Sequence, residues 1–180
     1  MNILVTGGTG YIGSHTAVEL SKAGFHPVLA DNLSNSRREV TGALQEITGA
    51  PTDFHLVDLN DYAALRTLFL TTPIDAVIHF AAFKAVGESV SEPMKYYRNN
   101  IGSMINLLDA MKDAGVSRLV FSSSCTVYGE TPELPVREGQ QLGTAASPYG
   151  TTKQIGEVLE IHGGVTGDAR RALRAPRQGR

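Results

Sequence analysis

Three glycines near the N-terminus constrain this chain more than any other feature. The apolar run Asn2–Thr6 leads into Gly7, Gly10 and Gly13, and a helix-like pattern follows from Tyr11. At this spacing the first glycine permits a tight turn, the second lets the backbone approach a pyrophosphate, and the third lets the helix pack on the strand. The start of the helix also offers unpaired N–H groups to phosphate. The motif predicts a dinucleotide-binding site; the alternative is a purely structural strand–helix turn.

The composition is typical of one globular domain, because the 180 residues are 42% hydrophobic and 19% charged. A formal net charge of -2 gives no reason to expect nucleic acid as a partner. No apolar run approaches the roughly 20 residues of a membrane helix, so no membrane partner is expected. Cys125 is the single cysteine, which excludes an intramolecular disulfide and a zinc framework, and no metal site is predicted. These features favour a cytoplasmic protein.

Short apolar segments alternate with helical patterns along the chain. Strands are predicted at residues 2–6, 27–30, 54–57, 76–80 and 118–121, and helices at residues 11–23, 37–47, 61–70, 93–114 and 149–161. This alternation predicts an α/β fold with a doubly wound, Rossmann-like parallel sheet in the order 3-2-1-4-5. On the long fourth helix, the residues expected on the core face are Ile101, Met104, Ile105 and Leu108. Long loops at residues 81–92 and 122–146 follow strands four and five, where ligands are expected.

Two aspartates end neighbouring strands. Asp31 ends the second strand, where a carboxylate accepts hydrogen bonds from the ribose hydroxyls and repels a 2′-phosphate, so NAD is favoured over NADP. Asp58 follows the third strand and is placed to meet the adenine amino group. The alternatives are a solvated turn or cap for Asp31 and a helix cap for Asp58. Asp61 or Asn60 is predicted as the cap of the third helix.

Tyr149 and Lys153 are spaced i, i+4, so they lie on one face of the last helix. A phenol is a weak base at neutral pH, but a neighbouring ammonium favours the phenolate and is expected to lower the pKa of Tyr149. The pair is then a general base for an alcohol undergoing oxidation. The run Ser122–Ser124 follows strand five and brings a hydroxyl to the same place. A surface pair and a self-satisfied hydroxyl turn are the structural alternatives.

Six stretches of this chain match one family: residues 5–15, 31–36, 79–89, 96–100, 121–129 and 147–153. Over residues 1–155 the chain resembles the extended short-chain dehydrogenase/reductases, and within them the UDP-glucose 4-epimerases. The glycine motif and Tyr-x-x-x-Lys mark the superfamily, whereas residues 31–36 and 80–89 look specific to the epimerases. The resemblance implies an isomerase of galactose metabolism that removes a hydride from C4 of a UDP-hexose, lets the 4-keto sugar rotate, and returns the hydride to its other face.

The resemblance also implies roles for individual residues. Tyr149 would be the base, Lys153 its modulator and Ser124 its hydrogen-bond partner. The NAD site would be lined by Gly7, Gly10, Tyr11, Ile12, Gly13, Asp31, Asn32, Asn35, Ser36, Asp58, Leu59, Phe80, Ala81, Ala82, Lys84, Asn99, Tyr149 and Lys153. The sugar would lie near Lys84, Val86, Gly87, Ser124 and Tyr149. Full-length members of the family are expected to be homodimers with a UDP-hexose substrate.

The C-terminus departs from the family pattern. Residues 154–157 already differ, and the family's C-terminal substrate domain is expected to be missing. We predict an NAD-binding domain at residues 1–161 and a disordered, arginine-rich tail at residues 162–180, because the tail has almost no large apolar residues. Alone, this chain is expected to have little or no epimerase activity. The alternatives are an NAD-binding fragment without catalysis, or another NAD-dependent nucleotide-sugar epimerase or dehydratase.

Overall fold

Five parallel strands form one sheet in the order β3-β2-β1-β4-β5, as the sequence predicts. The computed structural model describes residues 1–131, 135–137 and 139–163. The strands are β1 Asn2–Thr6, β2 His26–Asp31, β3 Asp53–Leu56, β4 Ala76–His79 and β5 Leu119–Phe121. The helices are α1 Tyr11–Lys22, α2 Val40–Thr48, α3 Tyr62–Thr71, α4 Val86–Ser91, α5 Pro93–Tyr96, α6 Gly102–Asp113 and α7 Pro148–His162. This confirms the doubly wound, Rossmann-like fold.

The first strand is the centre of the sheet, and it separates two apolar cores. Side chains alternate along a strand, so Leu4 faces one side of β1 while Ile3 and Val5 face the other. The larger core packs the sheet against α3 and α6, and the smaller core packs it against α1 and α2. Burial on both faces explains why these strands read as nearly continuous apolar runs.

The predicted long helix at residues 93–114 is interrupted. A π-helical turn at Tyr97–Ile101 separates α5 from α6, and a short helix, α4, lies within the predicted loop at residues 81–92. The predicted core position of Ile105 is wrong, because its side chain is 44% exposed, whereas Leu107 is fully buried. Ile105 and Leu107 are both apolar and both lie between Met104 and Leu108 in the sequence. Spacing alone did not show that the buried face of the helix includes Leu107 and not Ile105.

The predicted cap at the start of α3 is confirmed, and two helices end at glycines. The Asp61 carboxylate accepts a hydrogen bond from the backbone N–H of Ala64, so Asp61 caps α3. Gly24 and Gly115 follow α1 and α6 with φ of 81° and 71°, a left-handed conformation that favours glycine. Asp58 is not the cap of α3, so the capping alternative for that carboxylate is wrong.

The predicted tail lies almost entirely outside the described residues. His162 ends α7 and Gly163 follows it, so the helix reaches one residue further than predicted. Residues 164–180 are not described. Among the helices that the structure describes, none has the length and apolar character needed to cross a membrane.

Candidate active site

A cleft opens at the carboxyl ends of the parallel strands. Its walls come from the loops that follow all five strands and from the start of α7. Every residue predicted to bind a cofactor lines this cleft, from Gly7 in the first loop to Lys153 in α7. The structure adds six lining residues that were not predicted to bind the cofactor: Ser34, Val57, Asn60, Phe83, Ser103 and Ser122.

The glycine turn forms the floor of the cleft. Gly7 has φ of 67°, and a Cβ atom there would lie 2.9 Å from the backbone nitrogen of Ala81. At Gly13, a Cβ atom would collide with the carbonyl oxygen of Gly7, so this glycine lets α1 pack against the turn. Gly10 caps α1 without a side-chain hydrogen bond, which leaves the N–H groups of the first helical turn available for an anion.

Asp31 lies at the end of β2 and is held from several directions. One carboxylate oxygen, Oδ1, accepts hydrogen bonds from the backbone N–H of Leu33 at 2.8 Å and from the Ser36 hydroxyl at 3.0 Å. The other, Oδ2, accepts from the backbone N–H of Thr9 at 3.2 Å. The buried carboxylate therefore joins the glycine turn to the loop at residues 32–36, and the solvated-turn alternative for Asp31 is wrong.

A second polar chain runs along the rim of the cleft through Asp58. Its carboxylate accepts hydrogen bonds from the side chain of Asn32 and from the backbone and side chain of Asn60. Burial opposes the charged form, but these hydrogen bonds outweigh it and hold the pKa of Asp58 below its usual range. Asn60 also donates to the side-chain oxygen of Asn99 at 3.1 Å, which links this rim to the π-helical turn.

The loop after β4 is fastened by Asn100, which the sequence analysis missed. Its side-chain oxygen accepts from the Phe83 N–H at 2.9 Å, and its amide nitrogen donates to the Phe83 carbonyl at 3.0 Å and to Thr152 Oγ1 at 3.1 Å. One buried amide thus connects the β4 loop, the π-helical turn and α7. The Asn99–Asn100 pair inside a predicted helix was the available signal, because asparagine is a poor helix former.

The start of α7 sets the position of Tyr149. Ser147 accepts a hydrogen bond from the Gly150 N–H, and Pro148 occupies the first helical position, where no donor is needed. The backbone N–H of Tyr149 donates to the Ser89 hydroxyl at 3.2 Å. Ser89 is fully buried in α4, so this contact ties the predicted base to a helix 60 residues earlier in the chain.

Ser124 and Tyr149 meet as predicted. Ser124 Oγ accepts from the N–H and hydroxyl of Thr126, which leaves its own hydrogen available to the phenol of Tyr149. Burial nevertheless raises the pKa of Tyr149, and the Ser124 hydrogen bond offsets this rise only in part. The prediction that Lys153 lowers the pKa of Tyr149 is wrong, because burial is the largest cause and it raises that pKa. The Lys153 Nζ atom lies 5.9 Å from the centre of the Tyr149 ring.

Lys153 is buried on the same face of α7, one turn after Tyr149. Its Nζ atom donates to the Ser122 carbonyl at 2.7 Å and lies 4.8 Å from the centre of the Phe121 ring. Burial lowers the pKa of Lys153 to about 8, so the group is still protonated at neutral pH. The helical face thus presents one ammonium and one neutral phenol to the cleft.

The residues of α7 that depart from the family pattern hold the serine loop in place. Glu157 accepts a hydrogen bond from the Ser123 hydroxyl at 2.6 Å. The Gln154 amide nitrogen donates to the carbonyls of Val127 at 2.8 Å and Gly143 at 2.6 Å. Gly156 leaves the space that the Phe121 ring occupies. These contacts fix the Ser122–Ser124 segment against the helix that carries Tyr149.

The predicted sugar-binding residues are only partly brought together. Lys84 and Tyr149 line the cleft, and Ser124 reaches it through its contact with Tyr149. Val86 and Gly87 begin the short helix α4, are exposed, and are not among the residues that line the cleft. Their predicted role near the sugar stays a prediction.

The cleft meets the requirements of a dinucleotide site. The glycine turn forms a cradle that a Cβ atom at Gly7 or Gly13 would fill, and the first turn of α1 provides unpaired donors for a pyrophosphate. A carboxylate at the end of β2 suits a ribose hydroxyl. At the other end, the phenol of Tyr149 and the ammonium of Lys153 suit an alcohol that exchanges a proton.

The model of the NAD dependent epimerase/dehydratase family matches residues 3–162. A UDP-glucose 4-epimerase of Neisseria meningitidis serogroup A is 52% identical over 156 residues, which cover 87% of this chain and 46% of that protein. The UDP-glucose 4-epimerase of Bacillus subtilis is 52% identical over 159 residues, with coverage of 88% and 47%. The chain therefore spans about half the length of the curated relatives it matches.

Solved structures give the same result. A UDP-glucose 4-epimerase of Bifidobacterium longum in complex with NAD+ and UDP superposes with a TM-score of 0.88 at 42% identity, covering 90% of this chain and 48% of that one. The enzyme of Stenotrophomonas maltophila, with bound NAD and formylated UDP-arabinopyranose, superposes with a TM-score of 0.86 at 48% identity, with coverage of 90% and 48%.

Proposed function

The chain belongs to the NAD dependent epimerase/dehydratase family, and on that premise we propose that its cleft is the NAD and hydride-transfer site of a UDP-glucose 4-epimerase. One observation carries the proposal: the glycine turn, the Asp31 carboxylate and the Tyr149 phenol all face a single cleft. Relatives that match about half their length to this chain bear the same name, and two related structures hold NAD.

We infer that the cofactor lies along the cleft from Asp31 to Lys153. The first turn of α1 would bind the pyrophosphate, Asp31 the adenosine ribose, and Asn99 and Lys153 the end nearest the reacting sugar. NAD, when bound, supplies a hydride acceptor that can return the hydride. The other residues predicted to bind the cofactor line the cleft near the pyrophosphate, the adenosine ribose or the sugar, and they would complete the NAD site.

The proton transfer is assigned to Tyr149. As the phenolate, Tyr149 would accept the proton of the sugar 4-hydroxyl while the hydride leaves C4. The phenol so formed would return that proton to the 4-keto sugar when the hydride comes back to the other face. Ser124 would donate its hydrogen to the same oxygen and stabilise the phenolate. The Lys153 ammonium, whose Nζ atom lies 5.9 Å from the centre of the Tyr149 ring, would bind the end of the cofactor nearest the sugar.

A dehydratase is less well supported. Removal of water after the oxidation needs an added acid–base pair. In dehydratases of this kind, that pair is expected to be Asp-Glu at the two positions just after β5. Here those positions are Cys125, which is exposed, and Thr126, whose hydroxyl donates to Ser124. Neither side chain provides a carboxylic acid.

The proposal includes a UDP-hexose substrate, a cytoplasmic location in which Cys125 stays reduced, and homodimers like those expected for full-length relatives. We also propose that residues 1–161 form one NAD-binding unit and that residues 162–180 lie outside it.

The test is conversion of UDP-galactose to UDP-glucose by the full 180-residue chain supplied with NAD. Tyr149→Phe should lower turnover by about 10²–10⁴-fold and leave NAD binding intact, because general acid–base assistance is typically of this size. Tyr62→Phe is the matched control, since its hydroxyl donates to Asp113 on α6 and does not line the cleft.

Turnover that is measurable in wild type and equal in Tyr149→Phe would remove Tyr149 as the base. A wild-type chain that binds NAD but converts no sugar would favour the second candidate, an NAD-binding unit without catalysis of its own. Remote binding of the UDP group supplies much of the positioning in such a reaction, so this outcome is the one expected from residues 1–163 alone.

A further inference from the structure

We propose that Thr9 and Ser36 form a hydroxyl relay that commits both hydroxyl hydrogens toward Asp31, so that neither is offered to a 2′-phosphate at the ribose site. The proposal rests on the proposed function, in which Asp31 meets the adenosine ribose of NAD. Thr9 was not selected from the sequence, and it acts through Ser36, so it is a positioning residue for cofactor selectivity.

The direction of each hydrogen bond in this relay is fixed by its partners. Ser36 Oγ donates its single hydrogen to Asp31 Oδ1 at 3.0 Å, because a carboxylate only accepts. The hydroxyls of Thr9 and Ser36 lie 2.7 Å apart, and Ser36 has no second hydrogen, so Thr9 is the donor in that pair. The backbone N–H of Thr9 closes the ring by donating to Asp31 Oδ2.

The relay uses every side-chain hydrogen that these three residues possess. A carboxylate has about four acceptor positions, and three of them are taken by Leu33 N–H, Ser36 O–H and Thr9 N–H. The remaining capacity, on Asp31 Oδ2 and on the two hydroxyl oxygens, is for accepting. A ribose hydroxyl can donate to these oxygens. A phosphate brings negative charge and acceptors, and it finds no donor among the side chains of Thr9, Ser36 and Asp31.

Burial keeps the relay in this direction. Thr9 is 3% exposed and Asp31 is 8% exposed, so water does not readily replace a partner that turns away. Reversing the Ser36 hydroxyl toward a phosphate would break a charge-assisted hydrogen bond, which is stronger than a neutral one. The relay therefore converts two hydroxyls, each otherwise able to donate to a phosphate, into acceptors.

Cations do not offset this exclusion at the Asp31 end of the cleft. Among the described residues that line the cleft, the cationic side chains are Lys84, after β4, and Lys153, in α7. Arg37 follows Ser36 but does not line the cleft. The Arg38 guanidinium lies over the Phe54 ring, 5.7 Å from its centre.

The test is a calorimetric titration of the full chain with NAD and with NADP, for wild type and three variants. Thr9→Val keeps the shape and the backbone N–H but removes the hydroxyl that donates to Ser36. Because hydrogen bonds in a chain strengthen one another, the bond from Ser36 to Asp31 is then weaker and the Ser36 hydroxyl turns more easily toward a phosphate. Ser36→Ala releases the Thr9 hydroxyl and removes one bond to Asp31. In both variants the preference for NAD over NADP should fall by roughly tenfold, the scale of one charge-assisted hydrogen bond.

Thr9→Ser is the matched control, because it retains the hydroxyl and should retain the wild-type preference. A purely structural role for Thr9 and Ser36 would weaken NAD and NADP equally and leave the ratio unchanged, and that result would overturn the relay. A wild-type chain that binds neither nucleotide would instead remove the proposed function, and the relay with it. Ser36→Ala, at a half-buried rim position, provides the answer if Thr9→Val does not fold.

Discussion

The Lys153 ammonium donates a 2.7 Å hydrogen bond to the backbone carbonyl of Ser122, and this one contact fastens α7 to the loop that follows β5. Because Ser124 lies two residues further along that loop, the contact also brings the Ser124 hydroxyl to Tyr149. Lys153 is therefore both a charge in the cleft and a structural tie. The cost of burying that charge is visible in its pKa, which burial lowers to about 8.

The pH dependence of stability should report the burial of Lys153. Between the folded pKa of about 8 and the ordinary value of 10.5, the unfolded chain binds more protons, so the free energy of unfolding rises with pH across that window. The rise attributable to Lys153 is about 3 kcal/mol. Denaturant unfolding of Lys153→Met should lack this rise, whereas Lys112→Met, at an exposed position in α6, should keep it. A Lys153→Met profile parallel to wild type would contradict the assignment.

A buried imidazole should contribute to acid unfolding. His79 lies at the end of β4, shares a 2.7 Å hydrogen bond with the Thr6 hydroxyl, and has a pKa that burial lowers to about 3, with the Lys153 charge acting in the same direction. Below about pH 6.5 the His79 imidazole binds a proton in the unfolded chain but not in the folded chain. The free energy of unfolding therefore falls as the pH drops toward 3.

We expect His79→Asn, which keeps an acceptor near Nδ1, to remove on the order of 4 kcal/mol of that acid dependence. The measurement is urea unfolding at a series of acidic pH values. His15→Asn, on an exposed face of α1, is the control and should follow wild type. If His79→Asn loses as much stability in acid as wild type and His15→Asn do, His79 is not the cause of the acid dependence.

Gly156 is required by an aromatic ring rather than by the backbone. A Cβ atom at this helical position would lie 2.7 Å from Phe121 Cε1 and closer still to the ring tip. Gly156→Ala should destabilise the fold by about 1–3 kcal/mol, because the ring beneath Lys153 must move. Gly42→Ala, in α2 with open space around it, should stabilise by about 0.5–1 kcal/mol. Thermal unfolding distinguishes the two, and two shifts of the same sign would contradict this account.

Ser89 should stabilise the start of α7 from a distance. Ser89→Ala leaves the N–H of Tyr149 without its partner at a partly buried place, which costs about 1 kcal/mol. Ser91→Ala removes a similar hydroxyl at an exposed position of the same helix and should cost much less. Equal unfolding midpoints for the two variants would show that the Tyr149 N–H finds another partner.

The predictions that held from the sequence are those that local chemistry determines. Gly7 predicted the turn because a left-handed φ favours glycine, and Asp61 predicted the start of α3 because its carboxylate caps the helix three residues later. The strand order followed from the alternation of strands and helices and from the handedness of their connections. The 18 proposed cofactor contacts share one cleft; the glycines and Asp31 came from the motif and its spacing, and most of the others came from family resemblance.

The remainder depends on contacts between distant segments. Asn100 reaches Phe83 and Thr152, and Ser123 reaches Glu157, and no spacing in the sequence brings these residues together. The pKa of Tyr149 was predicted in the wrong direction because burial, not the neighbouring ammonium, is its largest cause. Burial of a particular side chain is a property of the packed structure. For the same reason, periodicity did not show that Ile105 is exposed.

Calorimetric titration of the 180-residue chain with NAD tests the central claim most directly. The account predicts saturable binding of a single NAD per chain and clearly weaker binding of NADP, because the Asp31 carboxylate repels an added 2′-phosphate. Equal affinity for the two nucleotides would contradict the role of Asp31, and a folded chain that binds neither would contradict the assignment of the cleft itself.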